Sequence, residues 1–207
     1  MIVLDGILYA IAMFGAGGLV TWLLGPWFAL PLFLLGVFCL YFFRDPDREI
    51  PPGPVAVSPA DGKVVTVKPE GPGLTRISIF LNVFDVHVNR TPIAGTIAKV
   101  QYQKGLFRVA SLEECSTVNE MNVVTVDGDG TSVVFKQIAG LIARRIVFYK
   151  KPGDKVATGE RIGLIKFGSR MDVLLGPEWE ITVAPGQRVS AGSSVIARRI
   201  EGGKHGA

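Results

Sequence analysis

Three short segments of this 207-residue chain contain side chains that could carry out chemistry. Asp61 lies in "SPADGKV", His87 lies in "FDVHVNRTP", and the pair Gly168-Ser169 lies in "IKFGSRMDVLL". Each segment has an ordinary structural explanation. Asp-Gly is a common hairpin turn, a single histidine in a strand is often a satisfied structural residue, and a glycine within a strand pattern marks a bulge or a bend. The assignment of a function therefore depends on the elements around these residues.

His87 is the best candidate for an acid–base group. The second histidine, His205, lies in the tail "GGKHGA", which we expect to be disordered. The two cysteines, Cys39 and Cys115, have a spacing that suggests no metal, and a reducing compartment requires no disulfide between them. The sequence therefore predicts neither a metal site nor a disulfide.

The N-terminal part of the chain has the composition of a membrane segment. Residues 7–43 contain no charged side chain, and Gly25-Pro26 divides them into two apolar stretches, residues 7–24 and 27–43. Each stretch is about long enough to cross a hydrocarbon core of roughly 30 Å, and a Gly-Pro pair breaks a helix. We therefore predict a hydrophobic α-helical hairpin over residues 1–43, with spanning and re-entrant arrangements both left open.

The charges around this hairpin predict its orientation. Arg44 and Arg48 follow the second stretch, whereas the Gly-Pro turn carries no charge. The positive-inside rule then places both ends in the cytoplasm, and the following domain on the cytoplasmic side of the cell (inner) membrane. The net charge of +4 comes without a long basic run, which argues against a nucleic-acid partner and favours anionic membrane lipid.

Residues 44–207 are predicted to form an all-β soluble domain. A polar, proline-rich linker, residues 44–54, leads into short strand-like runs separated by Gly and Pro. "PGDKVATGERIGLIK" from Pro152 and "PGQRVSAGSSVIARR" from Pro185 repeat one strand-turn-strand pattern, of which "SPADGKVVTV" is a shorter relative. Two copies are too few for a solenoid, so we expect a closed β-sandwich or barrel of hybrid-motif type.

Two classes of carrier domain use folds of this type. Domains that hold biotin or lipoate present a lysine at a hairpin tip, and Lys166 does not occupy such a tip. Phosphocarrier domains of sugar transport resemble residues 84–97 closely, in which case His87 would be the phosphate acceptor of a membrane-anchored module. This alternative explains neither the hairpin nor the pair Gly168-Ser169.

A more specific resemblance comes from four segments taken in order. "YFFRDPDREIP", "SPADGKV", "FDVHVNRTP" and "FGSR", over residues 41–175, resemble phosphatidylserine decarboxylase proenzymes of the short bacterial and archaeal form. The resemblance implies that the chain cuts itself between Gly168 and Ser169 into residues 1–168 and 169–207, and that Ser169 becomes a covalent pyruvoyl group. This group would form a Schiff base with phosphatidylserine, release carbon dioxide and yield phosphatidylethanolamine in phospholipid biosynthesis.

The same resemblance implies roles for the site residues. Ser169 attacks the Gly168 carbonyl in an N-to-O acyl shift, and β-elimination then separates the chains. Asp61, a histidine and Ser169 form the self-cleavage triad of the family, in which the carboxylate orients the imidazole. The longer form of the family has a second histidine three residues after the first, where this chain has Arg90. Either His87 alone serves both self-cleavage and decarboxylation, or another group assists it.

The sequence leaves several points open around this site. Arg90 either holds a substrate carboxylate or phosphate with its planar guanidinium, or is an ordinary surface residue. Asn119 and Glu120 precede a strand, but because Asn-rich turns are commonplace there, we leave them out of the predicted site. The large and small chains are expected to stay partners, while the exact serine lipid and any homo-oligomer remain undetermined.

Overall fold

The computed structural model describes residues 1–108, 110, 113–141, 145–166 and 168–200. His205 of the sequence analysis lies outside these residues. Contacts divide the chain into two compact units, Met1–Asp47 and the part that begins at Arg48.

The first unit is a pair of helices, α1 (Leu4–Leu24) and α2 (Pro26–Phe42). They are joined at Gly25, whose φ of 100° is a conformation that favours glycine. The Val3 N–H donates a hydrogen bond of 2.9 Å to the Phe43 carbonyl, which brings the two outer ends of the pair together. The predicted helical hairpin is therefore confirmed.

Glycines allow the two helices of this pair to pack closely. A Cβ atom at Gly17 would lie 2.8 Å from the Phe33 ring, and one at Gly36 would lie 2.5 Å from the Phe14 ring. Close packing on small residues is typical of helices in lipid. By length and composition α1 could cross a membrane, whereas α2 is apolar but shorter.

The second unit is an all-β domain with one short helix, α3 (Cys115–Val118), among its described residues. Its strands, in chain order, are β1 (Val55–Val57), β2 (Gly62–Pro69), β3 (Thr75–Leu81), β4 (Val88–Arg90), β5 (Gly95–Gln103), β6 (Met121–Gly128), β7 (Thr131–Ala139), β8 (Ile146–Phe148), β9 (Lys155–Val156), β10 (Arg161–Ile165), β11 (Ser169–Leu175), β12 (Trp179–Ile181), β13 (Arg188–Val189) and β14 (Val195–Arg199). The predicted all-β domain is confirmed.

The strands form three antiparallel sheets. The large sheet has the order β13-β2-β3-β11-β7-β6-β5-β9, and the two small sheets have the orders β1-β14-β12 and β4-β10-β8. Side chains of the large sheet, such as Ile79 and Val173, share one core with Ile162 and Ile196 of the small sheets. Strand β11 therefore lies inside the large sheet, between β3 and β7, with one face against this core.

The repeat seen in the sequence is a structural repeat. Strands β9 and β13 form the two edges of the large sheet, while β10 and β14 are the central strands of the two small sheets. Gly153 and Gly186 have φ values of 93° and 94°, and Gly159 and Gly192 have values of 73° and 77°, in matching turns. Both copies therefore need glycine at the same two turns.

The shorter relative "SPADG" has a counterpart that the sequence comparison missed, "TPIAG" from Thr91. The hydroxyls of Ser58 and Thr91 each donate to the backbone carbonyl two residues later, at 2.6 Å and 2.7 Å. The counterpart of Asp61 in the second copy is Ala94. The Asp61 carboxylate is therefore a departure from the repeat.

Candidate active site

Ser169 is the first residue of the central strand β11, and it is completely buried. It pairs with Leu81 of β3 on one side and with Ala139 of β7 on the other. Its Oγ atom has no hydrogen-bond partner in the described part of the chain. Because a buried hydroxyl without a partner costs stability, this atom is a candidate reactive group.

Gly168 has a backbone conformation that favours glycine. Its φ is +65°, in the left-handed region, whereas a Cβ atom built on it would meet nothing within 4 Å. Glycine is therefore favoured at this position by the backbone and not by lack of space.

Gly140, directly after β7, approaches the Gly168 carbonyl closely. A Cβ atom at Gly140 would lie 2.3 Å from the Gly168 oxygen and 3.2 Å from the Ala110 side chain. A side chain at position 140 would therefore overlap the carbonyl that precedes Ser169. The sequence analysis did not single out Gly140, because nothing in the sequence shows which strand end faces this peptide.

The His87 imidazole lies beside the backbone N–H of Gly168, and its two ring nitrogens have different partners. Nδ1 is 2.9 Å from the Asp85 carbonyl, and Nε2 is 3.2 Å from the Gly168 N–H. The carbonyl can only accept and the N–H can only donate, so Nδ1 carries the proton and Nε2 accepts. The ring is thus a neutral imidazole whose basic nitrogen is directed at the Gly168 N–H, two bonds from the Gly168 carbonyl carbon.

A short turn before His87 fixes this orientation. The Asn82 N–H donates to the Asp85 carboxylate at 2.9 Å, and the Phe84 N–H donates to the Asn82 side-chain oxygen at 2.8 Å. His87 is only 2% exposed. A phosphocarrier histidine has to be accessible to a partner protein, so this burial argues against the phosphocarrier alternative.

The Asp61 carboxylate has other partners than the imidazole. Oδ1 accepts from the Ala191 N–H at 2.7 Å, and both oxygens accept from Arg48 Nη2, at 2.9 Å and 2.8 Å. No hydrogen bond of Asp61 goes to His87, whose Nδ1 is held by a backbone carbonyl. The structure therefore does not bring Asp61 into contact with His87, and the catalytic role of Asp61 remains a prediction.

Arg90 is buried, with 6% of its surface exposed, so it is not an ordinary surface residue. Its Nη1 donates to the Gly159 carbonyl at 3.0 Å. Its Cδ would lie 3.0 Å from a Cβ atom at Gly192. Arg90 is therefore packed against the second glycine turn of each copy of the repeat, at Gly159 and at Gly192.

A buried charged cluster lies on the opposite face of β11 from Ser169. Arg170 Nε donates to Asp172 at 2.7 Å, and Arg170 Nη2 donates to Ser78 Oγ at 2.6 Å. Asp172 also accepts from Ser116 Oγ at 2.6 Å and from Arg76 Nη1 at 3.3 Å. This cluster joins residues on both sides of the 168/169 peptide bond. The strand "SRMDV" could have indicated this cluster, because side chains two residues apart in a strand lie on the same face, as Arg170 and Asp172 do.

Asn119 is a second supporting residue, which the sequence analysis weighed and left out. Its Nδ2 donates to the Ala139 carbonyl at 2.8 Å and to the Arg108 carbonyl at 2.9 Å. Asn119 is 1% exposed. It therefore fastens the loop after β5 to the strand that pairs with Ser169.

Cys115 lies close to the charged cluster, in surroundings that disfavour the reactive thiolate form. Burial raises the pKa of its thiol, and its Sγ donates to the Ala110 carbonyl at 3.2 Å.

Among the described residues no group of three His, Cys, Asp or Glu side chains could hold a metal ion. The arrangement around Gly168 and Ser169 instead suits attack of the buried hydroxyl on the preceding carbonyl, with an imidazole as base.

Comparison with known proteins gives one consistent result. The sequence profile of the phosphatidylserine decarboxylase family matches residues 35–197. A phosphatidylserine decarboxylase proenzyme of Solibacter usitatus (strain Ellin6076) is 78% identical over 200 residues, which cover 97% of this chain and 98% of that protein.

Two relatives with the same name come from another genus. The protein of Cupriavidus taiwanensis is 47% identical over 181 residues, or 84% of each chain. The protein of Cupriavidus pinatubonensis is 44% identical over 185 residues, which cover 86% of this chain and 85% of that protein. The profile match and the near full-length identity agree with the four segments that frame the site, and the chain therefore belongs to the phosphatidylserine decarboxylase family.

Proposed function

We propose that this chain cleaves itself between Gly168 and Ser169, and that the product decarboxylates phosphatidylserine to phosphatidylethanolamine. The observation that carries the proposal is the buried Ser169 hydroxyl, which has no partner among the described residues and comes directly after a left-handed Gly168. The three relatives described above are named proenzymes of this activity, which supports the same reaction here.

Self-cleavage begins at the Ser169 hydroxyl. Oγ attacks the Gly168 carbonyl carbon, the new C–O bond replaces the C–N bond, and the hydroxyl proton ends on the freed amine. A base then removes the Ser169 α-proton, the Cα–Cβ double bond forms, and the Gly168 carboxylate leaves. Water hydrolyses the resulting dehydroalanine, which yields a pyruvoyl group and ammonia.

His87 is the base in this proposal, because its Nε2 is unprotonated and lies 3.2 Å from the Gly168 nitrogen. A positioned imidazole can take a proton during cleavage and return one later. In the mature enzyme His87 would protonate the substrate carbon from which carbon dioxide has left. The proposal assigns both steps to this one ring.

The proposal retains Asp61 as a residue needed for self-cleavage, but it acts through its contacts with Arg48 and Ala191 and not through the imidazole. Its carboxylate neutralises Arg48 and holds the Ala191 N–H. In this proposal Asp61 acts on the reaction by charge and by the position of these neighbours, since Asp85 already orients the imidazole.

The pyruvoyl group supplies a ketone that condenses with a primary amine and accepts the electron pair released when carbon dioxide leaves. The residues around Ser169 suit such a group. Leu81 and Ala139 pair with Ser169 on both sides and would hold the new chain end within the sheet. Arg170 and Asp172, buried in the charged cluster, would fix the next residues of the small chain.

The hairpin anchors this domain to the cell membrane in the proposal, with the domain on the cytoplasmic side. Arg44 and Arg48 after the second helix support this orientation. Residues 1–43 are the anchor, residues 44–207 are the catalytic part, and residues 1–168 and 169–207 are its two chains.

Reductive trapping tests the reaction directly. Borohydride reduction in the presence of phosphatidylserine should attach the substrate amine covalently to the fragment that begins at residue 169, and Ser169→Ala should attach none. A wild-type fragment from residue 169 that stays free of substrate after reduction would overturn the proposed chemistry.

A further inference from the structure

We propose that three loops at the Ser169 end of the large sheet form a docking surface for an anionic phospholipid bilayer. Phe84, Leu106 and Leu141 are its apolar contacts, and Lys104 and Arg145 are its cationic contacts. The inference rests on the proposed function, because it assigns the route by which a bilayer lipid reaches the same site.

The register of the large sheet places the three loops at one end. Ser169 pairs with Leu81 and Ala139, which are the last residues of β3 and β7. The chain continues from these strands into the segments that contain Phe84 and Leu141. Strand β5 ends at the same side, because Gln103 pairs with Met121 and Met121 with Ile138, one residue before Ala139. Leu106 lies in the loop that follows.

Two of these loops hold a part of the candidate site directly. Phe84 lies in the turn whose Asp85 carbonyl binds the His87 ring. Leu141 follows Gly140, which lies against the Gly168 carbonyl. A surface formed by these side chains therefore lies next to the residues of the candidate site.

The third loop, which follows β5 and contains Leu106, is connected through Asn119 to the end of strand β7. The Leu106 N–H donates to the Val118 carbonyl at 2.7 Å, and Leu106 forms an isolated parallel β-bridge with Asn119. The Asn119 amide in turn holds the Ala139 carbonyl at 2.8 Å. Leu106 is therefore positioned by the residue that fastens this loop beside Ser169.

All three apolar side chains are exposed, with Phe84 at 63%, Leu106 at 54% and Leu141 at 58%. A single exposed leucine needs no explanation, because folded proteins expose much apolar surface. Three large apolar side chains on loops around one site are typical of an interaction surface. Burial of this surface in a bilayer would remove it from water.

The charges nearby favour an anionic surface as the partner. Lys104 and Arg145 are exposed, and neither forms an ion pair within the described part of the chain. At the other end of the sheet Asp127, Asp129 and Glu178 line a cavity together with one arginine. Unpaired cations close to a membrane gain energy from anionic lipids, and this attraction weakens with salt.

Spin-label depth measurements on the full chain test this docking surface, and they do not depend on catalytic turnover. Single labels at Phe84→Cys, Leu106→Cys and Leu141→Cys are compared with Ile200→Cys, which is 50% exposed at the opposite end. Unsubstituted protein controls for labelling of the buried Cys39 and Cys115. The chains are reconstituted in nanodiscs of mixed phosphatidylcholine and phosphatidylglycerol, and collisions with lipid-soluble oxygen and with an aqueous nickel chelate are measured.

We expect the three loop labels to collide mainly with oxygen and the label at position 200 mainly with nickel. Loop labels that collide mainly with nickel would overturn the docking surface. Labels shielded from both reagents would also overturn it, since a protein partner or a second copy would then cover the loops. Both failures leave the decarboxylase proposal intact, because trapping at residue 169 is measured separately.

Enzyme activity provides a second readout, measured on variants that carry no introduced cysteine and no spin label. The triple variant Phe84→Ser/Leu106→Ser/Leu141→Ser should lower the ratio of turnover on bilayer phosphatidylserine to turnover on a short-chain monomeric analogue by about tenfold or more, since it removes most of the apolar contact. Ile200→Ser should leave this ratio unchanged. An unchanged ratio in the triple variant would contradict the inference.

Discussion

The Nε2 atom of His87 accepts a hydrogen bond of 3.2 Å from the backbone N–H of Gly168, although the two residues are 81 positions apart in the chain. The Asp85 carbonyl holds the other ring nitrogen, so the ring is fixed with its basic atom toward the proposed cleavage site. This relationship makes the first prediction specific, because the hydrogen bond and the base can be removed separately.

His87→Ala removes both the hydrogen bond and the base, whereas His87→Gln keeps an acceptor but no base. We expect both variants to slow self-cleavage about a hundredfold to ten-thousandfold, the usual loss for a positioned acid–base group. Cleavage is followed on a denaturing gel, and turnover is normalised to the cleaved fraction. Normal cleavage in His87→Gln would show that the residue only positions the peptide.

Gly140→Ala should slow self-cleavage, because the new methyl group would overlap the Gly168 carbonyl oxygen. Overpacking of this kind costs roughly 1–3 kcal/mol. Gly128→Ala is a matched control, since its Cβ would lie 2.1 Å from the Ala94 carbonyl at the other end of the sheet. If both variants reduce cleavage equally after correction for folded protein, Gly140 has no special part in the site.

Asp61→Asn should slow self-cleavage more than Arg48→Gln does. Both substitutions break the same ion pair, but only the first removes the carboxylate that the proposal retains in the site. The half-times of precursor conversion at equal folded concentration give the comparison. Equal half-times would limit Asp61 to a structural ion pair.

Asp172→Asn should loosen the small chain after cleavage. Asp172 is fully buried between Arg170 of the small chain and Arg76 of the large chain. Loss of one partner from a buried ion pair costs about 3–5 kcal/mol. Arg108→Gln is the control, because Arg108 and Glu114 are 53% and 65% exposed and such surface pairs contribute about 1 kcal/mol or less.

Thermal unfolding and gel filtration measure this effect. We expect a lower Tm and partial loss of the small chain for Asp172→Asn, and neither for Arg108→Gln. Small chains that stay bound with an unchanged Tm would show that the sheet pairing of β11 alone holds them.

Much of the fold could be predicted from local patterns. The charge-free run indicated the hairpin, and the repeated strand-turn-strand segments from Pro152 and Pro185 indicated the β-domain. The pair Gly168-Ser169 is predicted as the cleavage site from four family-like segments in order, since its residue types alone are not specific. These features depend on residues close together in the chain.

The parts that could not be predicted depend on which groups the folded chain brings into contact. The family resemblance implies that a carboxylate orients the imidazole, and it could not show that the Asp85 carbonyl contacts Nδ1 of His87. It also could not show that Arg48 from the linker would bind Asp61, or that Gly140 would face the Gly168 carbonyl. The sheet register places Gly140, directly after Ala139, beside the peptide that precedes Ser169, whereas the other two contacts do not arise from strand pairing.

The most direct test of the central claim is the intact mass of the purified, denatured chain. The account predicts two chains, residues 1–168 with a free carboxylate and residues 169–207 that begin with a pyruvoyl group and lack an N-terminal amine. Ser169→Ala should give one uncleaved chain of about the full 22.3 kDa. A single full-length chain in the wild type, or a fragment that begins with an intact Ser169, would contradict the account.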